Sequence, residues 1–347
     1  MSMDDSEDRA AEVDEDGDLD PPVLDEPVTL DARVPDACAG LRLDQAAARM
    51  LPAHSRARIQ RWIRDGALLV DGRTAQPRAR VLGGERIQLQ AALEHAARWQ
   101  PEPVPFEVLH EDGALIVIAK PVGLVVHPGA GNPRGTLVNG LLHRFPELSA
   151  LPRAGLVHRL DKDTSGLLVV ARSEVAHTSL VRQLADRSMG RRYLAVVEGA
   201  PVSGFTVDAP LGRDPHQRLR MAVVPGGRHA VTHVRVLERY RAHALVECAL
   251  ETGRTHQIRV HLRHRDLPIL GDALYGARGR LPPDATAELV GLVRGFARQA
   301  LHAVTLRLVH PTTGATVEFE CPPPADMAEL ILALRDDAQD DGEDGTP

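Results

Sequence analysis

The sequence predicts an α+β protein: a larger domain built on a mixed, mainly antiparallel sheet with flanking helices, preceded by a small α+β unit. Three observations predict it. Apolar or alternating runs recur at 115–119, 167–171, 191–198, 229–238, 243–251 and 255–263 with short connections, which favours strands that pair as neighbours. Helical spacing is confined to a few segments between them. A proline cluster, Pro101, Pro103 and Pro105, separates residues 41–92 from the rest of the chain, and 347 residues is enough for about two domains.

Residues 1–36 are acidic and lack periodicity, so they are expected to be a disordered tail. Leu43, Ala46, Ala47 and Met50 have helical spacing, and Ser55 is placed to cap a second helix that runs to about Asp65 with Ile59 and Ile63 inward. Leu68-Leu69-Val70 reads as a strand, Asp71-Gly72 as a hairpin turn, and Val81 to Leu89 as further strand after a Gly83-Gly84 break. Residues 93–105 are expected to be a linker. The larger domain then spans 106–335. It has a helix at 134–145, a helix capped by Ser173 with Ala176, Leu180 and Leu184 inward, a hairpin at Pro311 to Gly314, and a last helix at about 324–335. Residues 336–347 close the chain as a second acidic tail.

Charge is distributed unevenly. The whole chain carries −7, but residues 1–26 hold twelve acids and one base, and 336–347 six acids and no base, so residues 27–335 carry +10. A basic body suits a polyanionic partner. Cys38, Cys248 and Cys321 are far apart and form no CxxC pair, so zinc ribbons and disulfide scaffolds are not expected. The amino terminus has no apolar h-region and no run of 18 apolar residues exists, so a cytoplasmic location without a membrane segment is expected. Of 41 basic residues only Lys120 and Lys162 are lysines.

Four segments concentrate chemistry. His158-Arg159-Leu160-Asp161-Lys162-Asp163-Thr164-Ser165-Gly166 is a dense polar run against the apolar strand at 167–171; by composition it is an ordinary turn, but at the lip of a core strand it can hold a charged group rigidly. In Leu250 to His261, alternation puts Gln257, Arg259 and His261 on one face of a predicted strand, which would mount Arg259 on the sheet. Arg191-Arg192-Tyr193-Leu194-Ala195 sets Tyr193 on one strand face. Lys120-Pro121-Val122-Gly123 opens a shaped loop. Among the sixteen histidines, His256 and His261 are five apart on a predicted strand and so face opposite sides, and His158 has no HxxxH or HExxH partner, so no metal site is predicted.

With these segments the chain resembles the large-subunit ribosomal RNA pseudouridine synthases, and within them the D type with an amino-terminal S4 domain. The matching strings are RLDQAAARMLPAHSRARIQRWI, LLVDG, KPVGLVVHPGAGN, AGLVHRLDKDTSGLLVVA, RRYLAVVEG, AVTHVRV, LETGRTHQIRVH, GDALYG and RQALHA, in family order from about residue 41 to 330. The resemblance implies a basic central cleft in the larger domain and an S4-like RNA-binding unit at 41–92. It implies that Asp161 is the catalytic carboxylate and that Arg159 holds the flipped base or its vacated place. It further implies that Tyr193 packs on the target base and that Arg259 pairs with Asp161. The long acidic tail and the use of Arg throughout the S4-like region depart from the family pattern and bear on substrate choice.

The implied reaction is the isomerisation of uridine to pseudouridine in a stem-loop of 23S ribosomal RNA, in support of ribosome maturation. Nothing is oxidised and no group is imported, so no cofactor is expected. A carboxylate attacks C6 or C1′, or takes the 2′ proton, and an adjacent Arg stabilises the anion and fixes its direction. A base inside a stem-loop must first be extruded onto an aromatic platform. Arg58, Arg61 and Arg64 recur every three residues along the second helix; with Arg42 and Arg56, and with Lys120 and Lys162 in the larger domain, they are the expected RNA-binding residues. The partner is then 23S ribosomal RNA or a precursor of the large subunit. A tRNA-directed synthase and a non-catalytic RNA-binding assembly factor are the alternatives; a metal-dependent hydrolase lacks ligands.

Overall fold

The computed structural model describes residues 28–51, 56–91, 99–129, 132–217, 220–276 and 279–343. Chain contacts divide it into two compact units with the boundary between Ala96 and Ala97.

In the smaller unit, β1 (Val28–Arg33) pairs antiparallel with β3 (Arg86–Ala91), and β3 pairs antiparallel with β2 (Leu68–Val70). The expected disorder of 1–36 is therefore corrected at its end, where Leu30 packs against the core of this unit; residues 1–27 lie outside the described residues. Helices α1 (Leu43–Met50) and α2 (Arg56–Arg64) supply Leu43, Ala46, Ala47, Ile59, Trp62 and Ile63 to that core. Asp71 (φ 48°) and Gly72 (φ 74°) form the tight turn expected there, closed by Val70 N–H to Arg73 O at 2.9 Å. Ser55, the expected cap of α2, lies outside the described residues.

The larger unit is built on a nine-stranded sheet. Its strands are β4 (Glu107–Glu111), β5 (Leu115–Lys120), β6 (Ser165–Ala171), β7 (Gly190–Glu198), β8 (Phe205–Asp208), β11 (Val231–Arg239), β12 (His243–Leu250), β13 (Leu301–Val309) and β14 (Thr316–Glu320). The order is β4-β5-β6-β13-β7-β12-β11-β8, and β14 pairs with β13. Every pairing is antiparallel except β6 with β13. β9 (Leu211–Arg213) and β10 (Met221–Val223) form a separate short ribbon. Strand β6 is buried along its whole length, as its unbroken apolar run requires. At Gly166 (φ +111°) a Cβ would lie 2.2 Å from Ala303 O, so only glycine lets β13 run beside the start of β6.

Helices flank the sheet: α3 (Leu137–Arg144), α4 (Glu174–Ala185), α5 (Gln257–His264), α6 (Ala287–Gly295) and α7 (Ala325–Glu343). Ser173 Oγ accepts from Ala176 N–H at 3.2 Å, the cap that starts α4. Two expectations are corrected. Residues 257–264 are helix rather than strand, and the expected solvated face is absent, since Gln257 through Leu262 are all buried. The last helix does not stop near 335 but runs into the acidic segment, where Asp337 Oδ1 accepts from Arg241 at 3.2 Å; residues 344–347 lie outside the described residues. Residues 93–98 of the expected linker are also outside them. Residues 100–104 lie on α3, with Asn139 Nδ2 donating to Gln100 O at 2.8 Å and Glu102 N–H to Asn139 O at 3.0 Å.

Candidate active site

The polar run 158–164 enters β6 and is held from two sides. From the end of β5, the buried Lys120 ammonium donates to Pro121 O (2.9 Å), Leu124 O (2.9 Å) and Lys162 O (2.8 Å). Gly123 N–H adds a bond to Lys162 O at 3.0 Å. From the start of β13, Gln299 Nε2 donates to Thr164 Oγ1 at 3.1 Å, and His302 Nδ1 meets Ser165 Oγ at 2.9 Å. Burial pulls the Lys120 pKa down to about 7 while the charges of Asp161 and Asp163 raise it. Three carbonyls match the three protons of an ammonium. Lys120 is 1% exposed, which corrects its expected place among the RNA-binding residues: it is a clamp beneath the loop. Lys162 is half-buried on the cleft wall.

Asp161 is delivered by this loop to a cleft of about 210 Å³, whose walls include Val125, His256, Arg259, Leu274 and Gln299. Arg259 Nη1 donates to Asp161 Oδ2 at 3.0 Å. The guanidinium fork itself is spent on Asp272: Nε donates to Oδ2 at 2.7 Å and Nη2 to Oδ1 at 2.9 Å. Burial raises the Asp272 carboxyl, but Arg259 and the N–H groups of Leu274 (2.9 Å) and Tyr275 (3.0 Å) outweigh it and hold Asp272 below the ordinary carboxylate range. Burial works against the charge on Arg259, and the two carboxylates reverse that and raise its pKa. Arg259 sits on α5 rather than on the sheet, and it is a fixed, charged strut between two acids. Asp161 Oδ1 has no hydrogen-bond donor among the described residues and is left for chemistry.

A second chain of bonds ends close to the same carboxylate. Met221 N–H donates to Tyr275 Oη at 2.8 Å, and Tyr275 Oη shares a hydrogen bond with His256 Nδ1, also at 2.8 Å. His256 Nε2 stands 4.0 Å from Asp161 Oδ2. His256 adopts φ 54° at the start of α5 and lines the cleft. The Arg259 guanidinium carbon lies 5.0 Å from the Tyr275 ring centroid.

Tyr193 is buried on β7, opposite Cys248 of β12 and Ala303 of β13. Burial raises its pKa, Arg191 lowers it and Asp161 raises it, so the phenol is neutral and within electrostatic reach of Asp161. Arg159 is half-buried; His127 is driven to about 3 by burial, then by the charges of Arg159 and Arg153. Thus Asp161 and Arg259 are in direct contact, Tyr193 is within electrostatic reach of Asp161, and neither Tyr193 nor Arg159 is among the residues that line the cleft. In the smaller unit, Arg61 and Arg64 are exposed on α2, while Arg42 is tied to buried Asp44 by bonds of 3.1 and 2.9 Å. The side chains of Arg56 and Arg58 lie outside the described residues. Asp272, and the Tyr275–His256 pair as a support for Asp161, escaped sequence reasoning. Their signal is the GDALYG string, whose Asp accepts from the N–H groups two and three residues on.

Residues 114–264 match the RNA pseudouridylate synthase family, and residues 41–87 match the S4 domain. Among curated relatives, the ribosomal large subunit pseudouridine synthase D of Xanthomonas campestris pv. campestris is 56% identical over 88% of this chain and 93% of that protein. That of Escherichia coli (strain K12) is 49% identical over 90% and 96%. Among solved structures, human RNA pseudouridylate synthase domain containing 4 aligns with a TM-score of 0.52 at 28% identity, over 66% of this chain and 93% of that one. The chain belongs to the RNA pseudouridylate synthase family. Within it, the two curated relatives just described are both D-type synthases of the large ribosomal subunit. No helix among the described residues is long and apolar enough to cross a membrane, and no group of three or more His, Cys, Asp or Glu among them is arranged to hold a metal ion.

Proposed function

We infer that this chain is an isomerase that converts uridine to pseudouridine in large-subunit (23S) ribosomal RNA, in support of ribosome maturation. The observation that carries the reading at the atomic level is the Asp161 carboxylate. One of its oxygens is tied to Arg259 and the other has no donor among the described residues, in a chain more than half identical to a large-subunit synthase over most of its length.

The reaction breaks the bond from C1′ to N1, turns the base and joins C5 to C1′. One proton leaves C5 and one is gained at N1, so atoms and electrons balance within the substrate. Asp161 supplies the carboxylate that acts on the extruded nucleoside. Arg259 aims it and offsets its charge, and is itself kept in place by Asp272. Tyr193 supports the base, and Arg159 holds the base or fills the place it vacates. Arg61 and Arg64, with Arg42, Arg56 and Arg58, are assigned to RNA phosphates, and Lys162 to the cleft edge. Ribosomal RNA or a large-subunit precursor is the partner and the cytoplasm its location.

Mapping pseudouridines across the rRNA and tRNA of a strain that lacks this gene tests the assignment. The expected result is loss of a few close sites in one loop of 23S RNA and nowhere else. Loss confined to tRNA would replace the substrate, and unchanged maps would reject the activity.

A further inference from the structure

Three arginines of the larger unit are buried among the described residues: Arg191, Arg259 and Arg298. Two are fully matched by acids. Arg259 bridges Asp161 and Asp272, and Arg298 makes a fork of 2.7 and 2.8 Å with Asp326. Arg191 is the exception. It is 7% exposed, its Nε is fully buried without a hydrogen-bond partner, and no carboxylate pairs with it among the described residues.

The neighbours of Arg191 supply no negative charge. Tyr193 is a neutral phenol. His158 is held neutral by burial and then by Arg191 itself, while its Nε2 accepts from Val169 N–H at 3.2 Å. Gly253 lies against the guanidinium; a Cβ there would stand 2.6 Å from Nη1, so only glycine leaves Arg191 its place. An unmatched buried guanidinium is costly. A chain that matches its other two buried arginines keeps this one where an anion is to arrive.

Alternation along β7 puts Arg191 on the same face as Tyr193, one strand repeat away, roughly 7 Å. Tyr193 is within electrostatic reach of both Arg191 and Asp161. A base resting on Tyr193 therefore brings the phosphates of its own nucleotide within reach of Arg191. The phosphodiester is the anionic group of RNA, and a guanidinium fork fits two of its oxygens.

We propose that Arg191 binds a backbone phosphodiester flanking the target uridine, and so sets the depth to which the extruded nucleotide enters the cleft. This rests on the placement of the base at Tyr193 and Asp161.

The test uses the full chain with an rRNA stem-loop in which the phosphate on either side of the target uridine is replaced singly by a neutral methylphosphonate. Arg191→Met removes the cation without leaving a buried charge; Arg191→Lys keeps the charge without the fork. Arg191→Met is expected to lower kcat/KM roughly 10- to 100-fold, with Arg191→Lys in between and with no fall in Tm. One of the two methylphosphonates should cost the wild type a similar factor, yet cost Arg191→Met less than about twofold more, as for two halves of one contact. The proposal is overturned if Arg191→Met stays within about twofold of wild type, if both methylphosphonates cost it as much as they cost wild type, or if its Tm drops. An Asp161→Asn control separates the two levels. If that variant still turns over, the underlying placement has failed; if it is inert while Arg191→Met is normal, only this proposal has.

Discussion

Replacing Arg259 with Lys keeps the charge and removes the fork. In the native site the guanidinium makes three charge-assisted bonds, at 2.7 and 2.9 Å to Asp272 and at 3.0 Å to Asp161. A single ammonium cannot span both acids in that geometry, and Asp272, with the shorter bonds and two backbone donors of its own, is where it will settle. The bond to Asp161 is then the one lost. A charge-assisted hydrogen bond contributes about 1.5–3 kcal/mol, so the chemical step should slow by roughly 10- to 150-fold. The fold should lose about 1–3 kcal/mol, since Asp272 keeps a cation and its N–H donors. The assay is single-turnover release of tritium from an rRNA stem-loop made with 5-tritiated uridine, run beside a urea melt. Arg259→Lys turning over within about threefold of wild type would show that Arg259 does not organise Asp161 and would refute the strut argument.

Lys120→Met should take the ammonium from Pro121 O and Leu124 O and leave Lys162 O with Gly123 N–H alone, and cost about 2–4 kcal/mol in a urea melt, with a slower chemical step; an unchanged midpoint would show that the clamp is dispensable. Asp272 has a folded pKa below its unfolded 3.8, so its contribution to stability is full above that pH and fades as pH falls through the folded value. Asp272→Asn should therefore be clearly less stable than wild type at neutral pH, with the gap narrowing as pH falls below 3.8; a constant gap contradicts the linkage. Removing residues 1–96 should leave a folded larger unit that still isomerises uridine but binds the stem-loop more weakly, with a salt slope shallower by roughly 0.7–0.9 per lost phosphate contact. An unchanged slope would make Arg61 and Arg64 a solvated helix face.

Much of the frame was legible because local and global preferences agree. The apolar runs of β5 and β6, the Ser173 cap and the Asp71-Gly72 turn each specify one conformation. α5 was not legible as a helix. Gln257-Ile258-Arg259-Val260-His261 alternates with β-branched residues at every second place, which is a strand pattern that the tertiary setting overrides. Strand β1 was hidden by its acidic neighbourhood, although Val28, Leu30 and Ala32 alternate; it forms because β3 offers a free edge. The contact of Asp161 with Arg259 was implied by the resemblance, but the destination of the fork was not. That Asp272 takes two of the three bonds is a tertiary fact, set by a turn thirteen residues away. Likewise, composition marks Lys120 as unusual yet cannot say that its amine points inward rather than toward RNA.

The central claim is that the Asp161 carboxylate performs the chemistry. Asp161→Asn preserves size and shape, retains an oxygen to accept from Arg259, and removes the ionised group. Its most direct test is the single-turnover rate of this variant on the rRNA stem-loop, with binding measured on the same RNA. The account expects no detectable pseudouridine and an affinity within about fivefold of wild type. A variant that binds normally and retains as much as about a tenth of the wild-type rate would contradict it.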